Sequence, residues 1–520
     1  MNLNLKIDKK LLLIPAILSF ILTLLLIYKY SYPISWDVYY HIHMINLYSN
    51  NGLVFWDYQT VAPVGRLIMY PPLFHLIVMG ISKITGINSI DLCRLAQPIF
   101  SFYLIGVITL VSYKISDNIE KSLLTGLLSM ICFVTFNRSV ICTPATIAIG
   151  LSMITTSYFY KGINDENLKN IVISAITLGL IANLHMATAI LSAGVLGLYA
   201  LIQLIRRKVK IKNLTIFLII SAIISLPWWI YVAFNYTLIF NSIGSNNLGL
   251  HNFFFKYYGI VPSILLIIGY YVIYKEKSEL SLYLAVWSLS LLLLSQINYI
   301  GFQTVSIRIL EVDAYALIII SGIGLHYLYE KISKEKIKQT ILIIIIIYAT
   351  LSALIYVDSY TPDVLTEKDY NTTILPNQIH LLINPVTTIY KPTIISSRFA
   401  NSTLAHQRYD VLKWFEKEKA SKVVVNEDSI MDTIIVSTSN TPVVYGGFTE
   451  SIPEYVTDPV HIIKGWSNKQ ELHDSKIGYI LLKKDTDIPY YAQKEYENNN
   501  YKITKIREKY LWKKRIKFYF

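Results

Sequence analysis

The stretch Trp36-Asp37-Val38-Tyr39-Tyr40-His41-Ile42-His43 follows an apolar run at 11–28, and Tyr70-Pro71-Pro72-Leu73-Phe74-His75 comes after it. The run approaches the ~20 residues that cross a bilayer. An acid, three imidazoles and a Tyr-Pro-Pro turn therefore fall in a long loop just beyond a first membrane span. A carboxylate at a span exit meets water and lipid headgroups together, which points to chemistry at the bilayer surface.

Similar runs recur along the chain. Hydrophobic residues make up 53% of 520 positions and charged residues 16%. Apolar segments near 94–113, 122–136, 145–160, 170–187, 188–205, 214–234, 259–274, 279–296, 309–329 and 340–357 extend the pattern. The expectation is a polytopic α-helical membrane protein of about eleven spans. The first run exceeds a signal-peptide core and no small-residue cleavage site follows it, so it reads as an uncleaved span. The composition, rich in Ile, Lys, Tyr and Asn, suits an AT-rich genome.

The formal charge of +13 does not point to nucleic acid, because the cations sit in short clusters between the apolar runs. Alternating the spans from a cytoplasmic N-terminus places Lys9 and Lys10, Lys114 and Lys121, Lys161 and Lys169, Arg206 to Lys212, Lys275 and Lys277, and Lys331 to Lys338 inside. That is the positive-inside pattern. It holds only if Leu73 to Thr85 lies in the interface instead of crossing, which makes 29–93 one large outer loop. The run from 170 to 205 is too long for one span and carries Asn183-Leu184-His185 near its middle. Two antiparallel helices meeting at the outer surface fit it.

After Asp358 polar residues rise and short β-rich runs appear at 421–425, 441–447 and 477–482, with a helical stretch from Tyr409 to Glu418. This predicts a transmembrane domain over 1–357 and an extracytoplasmic α/β domain over 358–520. The three cysteines, Cys93, Cys132 and Cys142, match no metal-ligand spacing. They read as small buried apolar residues, with a Cys93–Cys142 pairing open as an alternative.

If Ser35 caps a helix, Asp37 and His41 share one face with Tyr40 beside them. Asp37 there could take a proton from an acceptor hydroxyl. With His41 it is also a candidate pair for a divalent cation such as Mg²⁺ or Mn²⁺, although two ligands do not complete a site. Tyr40, His43 and His75 fall in the same loop as candidate substrate contacts; the alternative is that they sit at headgroup level. Arg308 stands at the mouth of a later span with Glu311 and Asp313 behind it. A cation at that depth pairs with an acid such as Glu311 or binds an anion such as a lipid phosphate. Arg138, after the third span, is a second candidate of that kind.

These features resemble the GT-C class of membrane glycosyltransferases. Trp36-Asp37-Val38-Tyr39-Tyr40-His41 is similar to the Asp-Ala-Tyr-Tyr-His type of segment in archaeal oligosaccharyltransferase-like proteins, and Tyr70-Pro71-Pro72-Leu73 to their Pro-Pro-Leu turn. The chain also resembles archaeal membrane proteins labelled as related to 6-pyruvoyl-tetrahydropterin synthase, a label that implies no pterin chemistry here. The resemblance implies a GT-C-like fold with a C-terminal outer domain, Asp37 as catalytic or metal-binding acid, and Arg308 as the cation that meets the donor phosphate. Two features depart from it. Residues 137–146 hold no second acid, and Val425-Asn426-Glu427-Asp428-Ser429 stands where an acceptor-binding Trp-Trp-Asp-Tyr-Gly belongs.

The resulting expectation is a glycosyltransferase working at the outer face of the bilayer. It would move a sugar from a polyprenyl-phosphate-linked donor to a glycan, lipid or protein acceptor. The alternatives are a non-catalytic glycan-binding relative and a lipid-linked glycan flippase or transporter.

Overall fold

The computed structural model describes residues 8–235, 248–302, 304–359, 365–367, 375–376, 378–379, 382–383, 393–418, 422–446 and 476–507. Its first helix, α1 (Ile14–Lys29), continues a 3-10 turn at Lys9–Leu13 and leads by a short extended link into α2 (Trp36–Asn51). Ser35 occupies the N-cap position of α2 with extended backbone, but its side chain makes no capping bond. The acid in that first turn is Asp37, where the unsatisfied amides of a helix start favour negative charge. Gly52, at φ 73°, ends the helix in a conformation that only glycine adopts freely.

The loop then forms a two-residue ribbon, β1 (Trp56–Asp57) antiparallel to β2 (Arg66–Leu67), before α3 (Leu73–Thr85) starts behind Pro71-Pro72. Thirteen residues at 1.5 Å each reach about 20 Å, too short for a hydrocarbon core of about 30 Å. Next come α4 (Ser89–Ser116), α5 (Ile119–Ile131), α6 (Phe133–Ser139), α7 (Pro144–Asn164), α8 (Leu168–Ala182), α9 (Met186–Ile205) and α10 (Ile211–Asn235). A short α11 (Leu250–Asn252) and a π-helical stretch (Phe253–Tyr258) precede α12 (Ile260–Glu276), α13 (Glu279–Ser295), α14 (Ser306–Glu330) and α15 (Glu335–Ser359).

The apolar segments expected to cross fall on these helices, with 122–136 divided between α5 and α6 and 170–187 running from α8 past the turn into α9. Among the described residues, six helices are long and apolar enough to span a bilayer: Lys9–Lys29, Ser89–Ser116, Met186–Ile205, Ile211–Asn235, Ser306–Glu330 and Glu335–Ser359. Two bent pairs raise the number to eight if each is one span: α5 with α6 at 83°, and Leu250–Tyr258 with α12 at 117°. By the same length and composition, α7, α8 and α13 fall short. The chain is a multi-pass membrane protein. The run at 170–205 is indeed two helices, α8 and α9, packed together and joined at Asn183-Leu184-His185.

The centre of the bundle is α14. Leu310, Ala314, Ala316, Leu317, Ile318 and Ile320 are fully buried. A Cβ added at Gly324 would lie 2.1 Å from the Leu265 carbonyl oxygen, and one at Gly269 2.0 Å from that of Ile320. These glycines let α12 and α14 touch backbone to backbone, the small-residue packing that membrane helices use. The start of α14 is thereby fixed at one end of the bundle.

The C-terminal region carries a four-stranded sheet in the order β3 (Val423–Asn426), β4 (Ile477–Lys483), β6 (Tyr501–Ile506), β5 (Ala492–Glu497). The first pair is parallel and the other two antiparallel. Helices Thr393–Glu418 and Ser429–Ser439 accompany it. Of the β-rich run at 441–447, Val443 makes a parallel bridge to Val424. This region docks on the first loop. Val38, Tyr39, Ile42 and Ile45 share a core with Met431, Ile434 and Ile435. The Val443 amide donates to the Gln59 carbonyl at 2.8 Å, the Ala62 amide donates to the Val443 carbonyl at 3.0 Å, and the Asn46 side chain donates to the Ser437 carbonyl at 2.8 Å. Cys93 and Cys142 are buried, unbridged thiols, as is Cys132.

Candidate active site

Three helix ends bring charge together. Asp37 lies in the first turn of α2, Arg308 and Glu311 in the first turns of α14, and Arg138 in the last turn of α6. Arg138 grips Glu311 through two bonds, Nε to Oε1 and Nη2 to Oε2, each 2.6 Å. That planar fork is the strong form of a guanidinium–carboxylate pair. Both partners are largely covered. Arg308 reaches Glu311 at 3.4 Å and Asp37 at 3.5 Å, with its side chain 53% exposed and that of Asp37 35% exposed. The buried pair thus backs an accessible one, and the open edge is formed by Asp37 and Arg308. Of the alternatives raised for Arg308, the structure shows the pairing with Glu311, together with the approach to Asp37.

Asp313, two residues beyond Glu311, is about 200° further round the helix. It is fully buried, and neither oxygen has a hydrogen-bond partner among the described residues. It belongs to the interior of the bundle and not to this group.

His185 joins the charged group from the α8–α9 turn. It caps α9, with Nδ1 2.8 Å from the Thr188 hydroxyl and accepting from the Thr188 amide at 3.3 Å. Burial holds its pKa down at about 4; Arg138 and Arg308 push the same way, against Glu311 and Asp37. It is neutral at pH 7.

The other candidates of the first loop lie beneath this edge. His41 Nδ1 is 3.0 Å from His75 Nε2, and the rings stack at 5.2 Å. Tyr70 meets both edge-on, and Tyr40 packs against His41 and Tyr70. Burial, and then the field of His185, lowers the His41 pKa to about 3, and burial, with His41 and His43, holds that of His75 well below the usual imidazole range. These are neutral, covered rings that shape the floor under α2. His43 lies elsewhere: its Nε2 is 2.8 Å from Asp57 Oδ2, which also accepts from the Thr60 hydroxyl at 2.5 Å. Burial pushes Asp57 up, but His43, Arg66 and Thr60 together hold it well below the usual carboxylate range. The structure therefore groups Asp37, Arg138, Arg308 and Glu311. It keeps His43 in a separate tether and places Tyr40, His41 and His75 in a packed aromatic floor.

A divalent cation does not fit the Asp37–His41 pair as it stands. His41 has its hydrogen bond to His75, Asp37 faces a guanidinium, and no group of three or more His, Cys, Asp or Glu side chains suited to a metal gathers among the described residues. Mg²⁺ and Mn²⁺ prefer several oxygen ligands. Here the other carboxylate, Glu311, is already held by two arginines.

Sequence reasoning offered His185 to the external polar layer, with a histidine hydrogen-bonded between helices as the alternative, and gave no role to Tyr70 or Asp57. The Asn-Leu-His turn was the available signal for His185. Nothing local marks Asp57, whose partner His43 lies on α2.

A family model described as dolichyl-phosphate-mannose-protein mannosyltransferase matches residues 69–231, a span that includes Arg138 and His185. Among solved structures, the chain is similar to the oligosaccharyltransferase of Archaeoglobus fulgidus in its apo form, at 13% identity and TM-score 0.61, over 91% of this chain and 69% of that one. It is also similar to ArnT from Cupriavidus metallidurans bound to undecaprenyl phosphate, at 12% identity and TM-score 0.54, over 95% and 96%. The Archaeoglobus fulgidus enzyme AglB in complex with an inhibitory peptide and a dolichol-phosphate matches at 13% identity and TM-score 0.53, over 91% and 69%. No curated protein matches the chain. The fold is that of the GT-C membrane glycosyltransferases. The resemblance read from the first loop thus extends to the three-dimensional arrangement of the bundle and its C-terminal sheet region.

Proposed function

We propose that the protein transfers a sugar from a polyprenyl-phosphate-linked donor to an acceptor hydroxyl or amide at the outer face of the membrane. The observation that carries this reading is the 3.5 Å approach of Arg308 to Asp37 on an accessible edge. A base and an anion-binding group are the two parts that glycosyl transfer from a lipid phosphate requires. Fold neighbours crystallised with undecaprenyl phosphate and with a dolichol-phosphate support the donor class.

In the reaction the acceptor heteroatom attacks the anomeric carbon and loses its proton to Asp37. The bond from that carbon to the phosphate oxygen breaks, and the lipid phosphate leaves with the electron pair. Arg308 stabilises the charge that develops on the leaving phosphate. Arg138 and Glu311 hold the start of α14 in place behind it, and the Arg308–Glu311 contact aims the guanidinium. His41, stacked on His75, sets the pitch of α2 and hence the position of Asp37; no step passes through a metal ion. The acceptor is a glycan, lipid or protein, with the C-terminal region docked beside Asp37 as the surface that would select it. The N-terminus is cytoplasmic and this region extracytoplasmic in this reading.

The test is transfer from labelled lipid-linked sugars by the full-length protein in reconstituted membranes. Turnover that depends on Asp37 supports the proposal. Leaflet exchange without transfer would replace it by a flippase, and binding without either by a glycan-binding protein.

A further inference from the structure

A cavity of about 530 Å³ opens between α4 and α7 at the end of the bundle remote from Asp37. Both helices begin on the Asp37 side. Ser89, at the start of α4, donates to Asn46 of α2 at 2.6 Å, and α7 starts five residues after Ser139 at the end of α6. The cavity lies in their last turns. It therefore belongs to the opposite membrane boundary, and the transfer reaction makes no use of it.

Its lining changes character along the helix axes. Val107, Leu110, Val111 and Ile154 form the deeper wall. Lys114 and Lys161 come next, both half-buried, with the Lys114 ammonium 4.6 Å over the Tyr158 ring. Asp117 and Asp165 follow at the exposed rim, three and four residues further along, which is about 4.5–6 Å outward. Asp165 also accepts from the neighbouring Asn164 side chain at 3.1 Å.

Apolar wall, then cations, then carboxylates is the reverse-charge image of a zwitterionic phospholipid: acyl chain, then phosphate, then terminal ammonium. Basic pockets between membrane helices are a recurring mode of headgroup recognition. We propose that this cavity binds an amine-bearing phospholipid of the leaflet on that side, its phosphate between Lys114 and Lys161 and its ammonium facing Asp117 and Asp165. An anionic headgroup without an amine meets the same lysines but puts nothing against the two carboxylates, so it binds less well.

The experiment uses the full-length protein in micelles with a phosphatidylethanolamine that carries a photoreactive group on its acyl chain. The expected label maps to 107–117 and 154–165. Unlabelled phosphatidylethanolamine displaces it at severalfold lower concentration than phosphatidylglycerol does. Labelling falls about tenfold in the Lys114→Gln, Lys161→Gln variant and stays unchanged in Arg308→Ala. The proposal is overturned by label spread evenly over lipid-facing helices such as α10, by equal competition from phosphatidylglycerol, or by label that survives the lysine changes. Loss of label in Arg308→Ala overturns it too, by placing the lipid at the Asp37 site. The wild-type map alone decides the location if the double variant does not fold.

Discussion

Arg308 Nη2 stands 3.5 Å from Asp37 Oδ2, so the first turn of α14 and the first turn of α2 meet at one accessible edge. Behind them the Arg138–Glu311 fork is largely covered. A front pair that can exchange partners is thus mounted on a rear pair that cannot do so cheaply. This division of labour separates the effects expected of each residue.

Asp37→Asn should lower sugar transfer by about 10²–10⁴-fold, the usual contribution of a positioned general base. Its ion pair is partly exposed and contributes little to stability. Transfer rate and thermal unfolding of the purified protein check this together. A variant with wild-type turnover removes Asp37 from the mechanism.

Arg308→Ala should slow transfer about 10²–10³-fold through lost stabilisation of the leaving phosphate. It should also erase stabilisation by a short-chain polyprenyl phosphate. For the wild type, ligand at 100 times its Kd contributes about 2.7 kcal/mol. Thermal shift with and without that ligand reads the difference, and Arg308→Lys should recover part of it.

Removing Glu311 leaves the Arg138 guanidinium covered and unmatched, and removing Arg138 leaves the largely covered Glu311 with only its 3.4 Å contact to Arg308, at a cost of about 3–5 kcal/mol for a fully unmatched charge. Arg138→Leu and Glu311→Leu should each be strongly destabilised, and the double variant much less than their sum. Unfolding midpoints of the four proteins in detergent form the cycle. Additive losses would show that the two side chains do not act as a pair.

Acid should weaken the fold through its buried imidazoles. His185 and His41 titrate at about 4 and about 3 when folded, against about 6.5 in an unfolded chain. Between those values the unfolded chain binds more protons. The stability from neutral burial is therefore complete above pH ~6.5 and drains away as the pH falls towards 4. His185→Asn keeps a residue that caps α9 well and removes one titrating ring. Its unfolding midpoint should depend less steeply on pH between 7 and 4.5 than that of the wild type.

The bundle was largely legible in the chain, because a span needs only length and apolarity and both are local. Strands β5 and β6 were not read, and 441–447 gives only a bridge at Val443, but the break at Asn183-Leu184-His185, the short length of α3 and strands β3 and β4 followed from the same local rules. The span count did not. The 83° bend between α5 and α6 falls at Cys132, and the 117° bend before α12 at Gly259, whose φ of 102° favours glycine. Asp37 and Arg308 meet, whereas His43 turned inward to Asp57 and His41 to His75.

The sequence by itself determined a multi-pass helical bundle, an acid just beyond the first helix, a cation at the start of a late one and a β-containing C-terminal region, since each depends on a short run of residues and its period. Only the tertiary structure decided that Asp37 faces Arg308, that Glu311 binds Arg138, and that the histidines lie neutral beneath them. The physical reason is that a contact between helices depends on their relative rotation and depth. Those are set here by close approaches such as Gly269 and Gly324 between α12 and α14, which no local segment encodes.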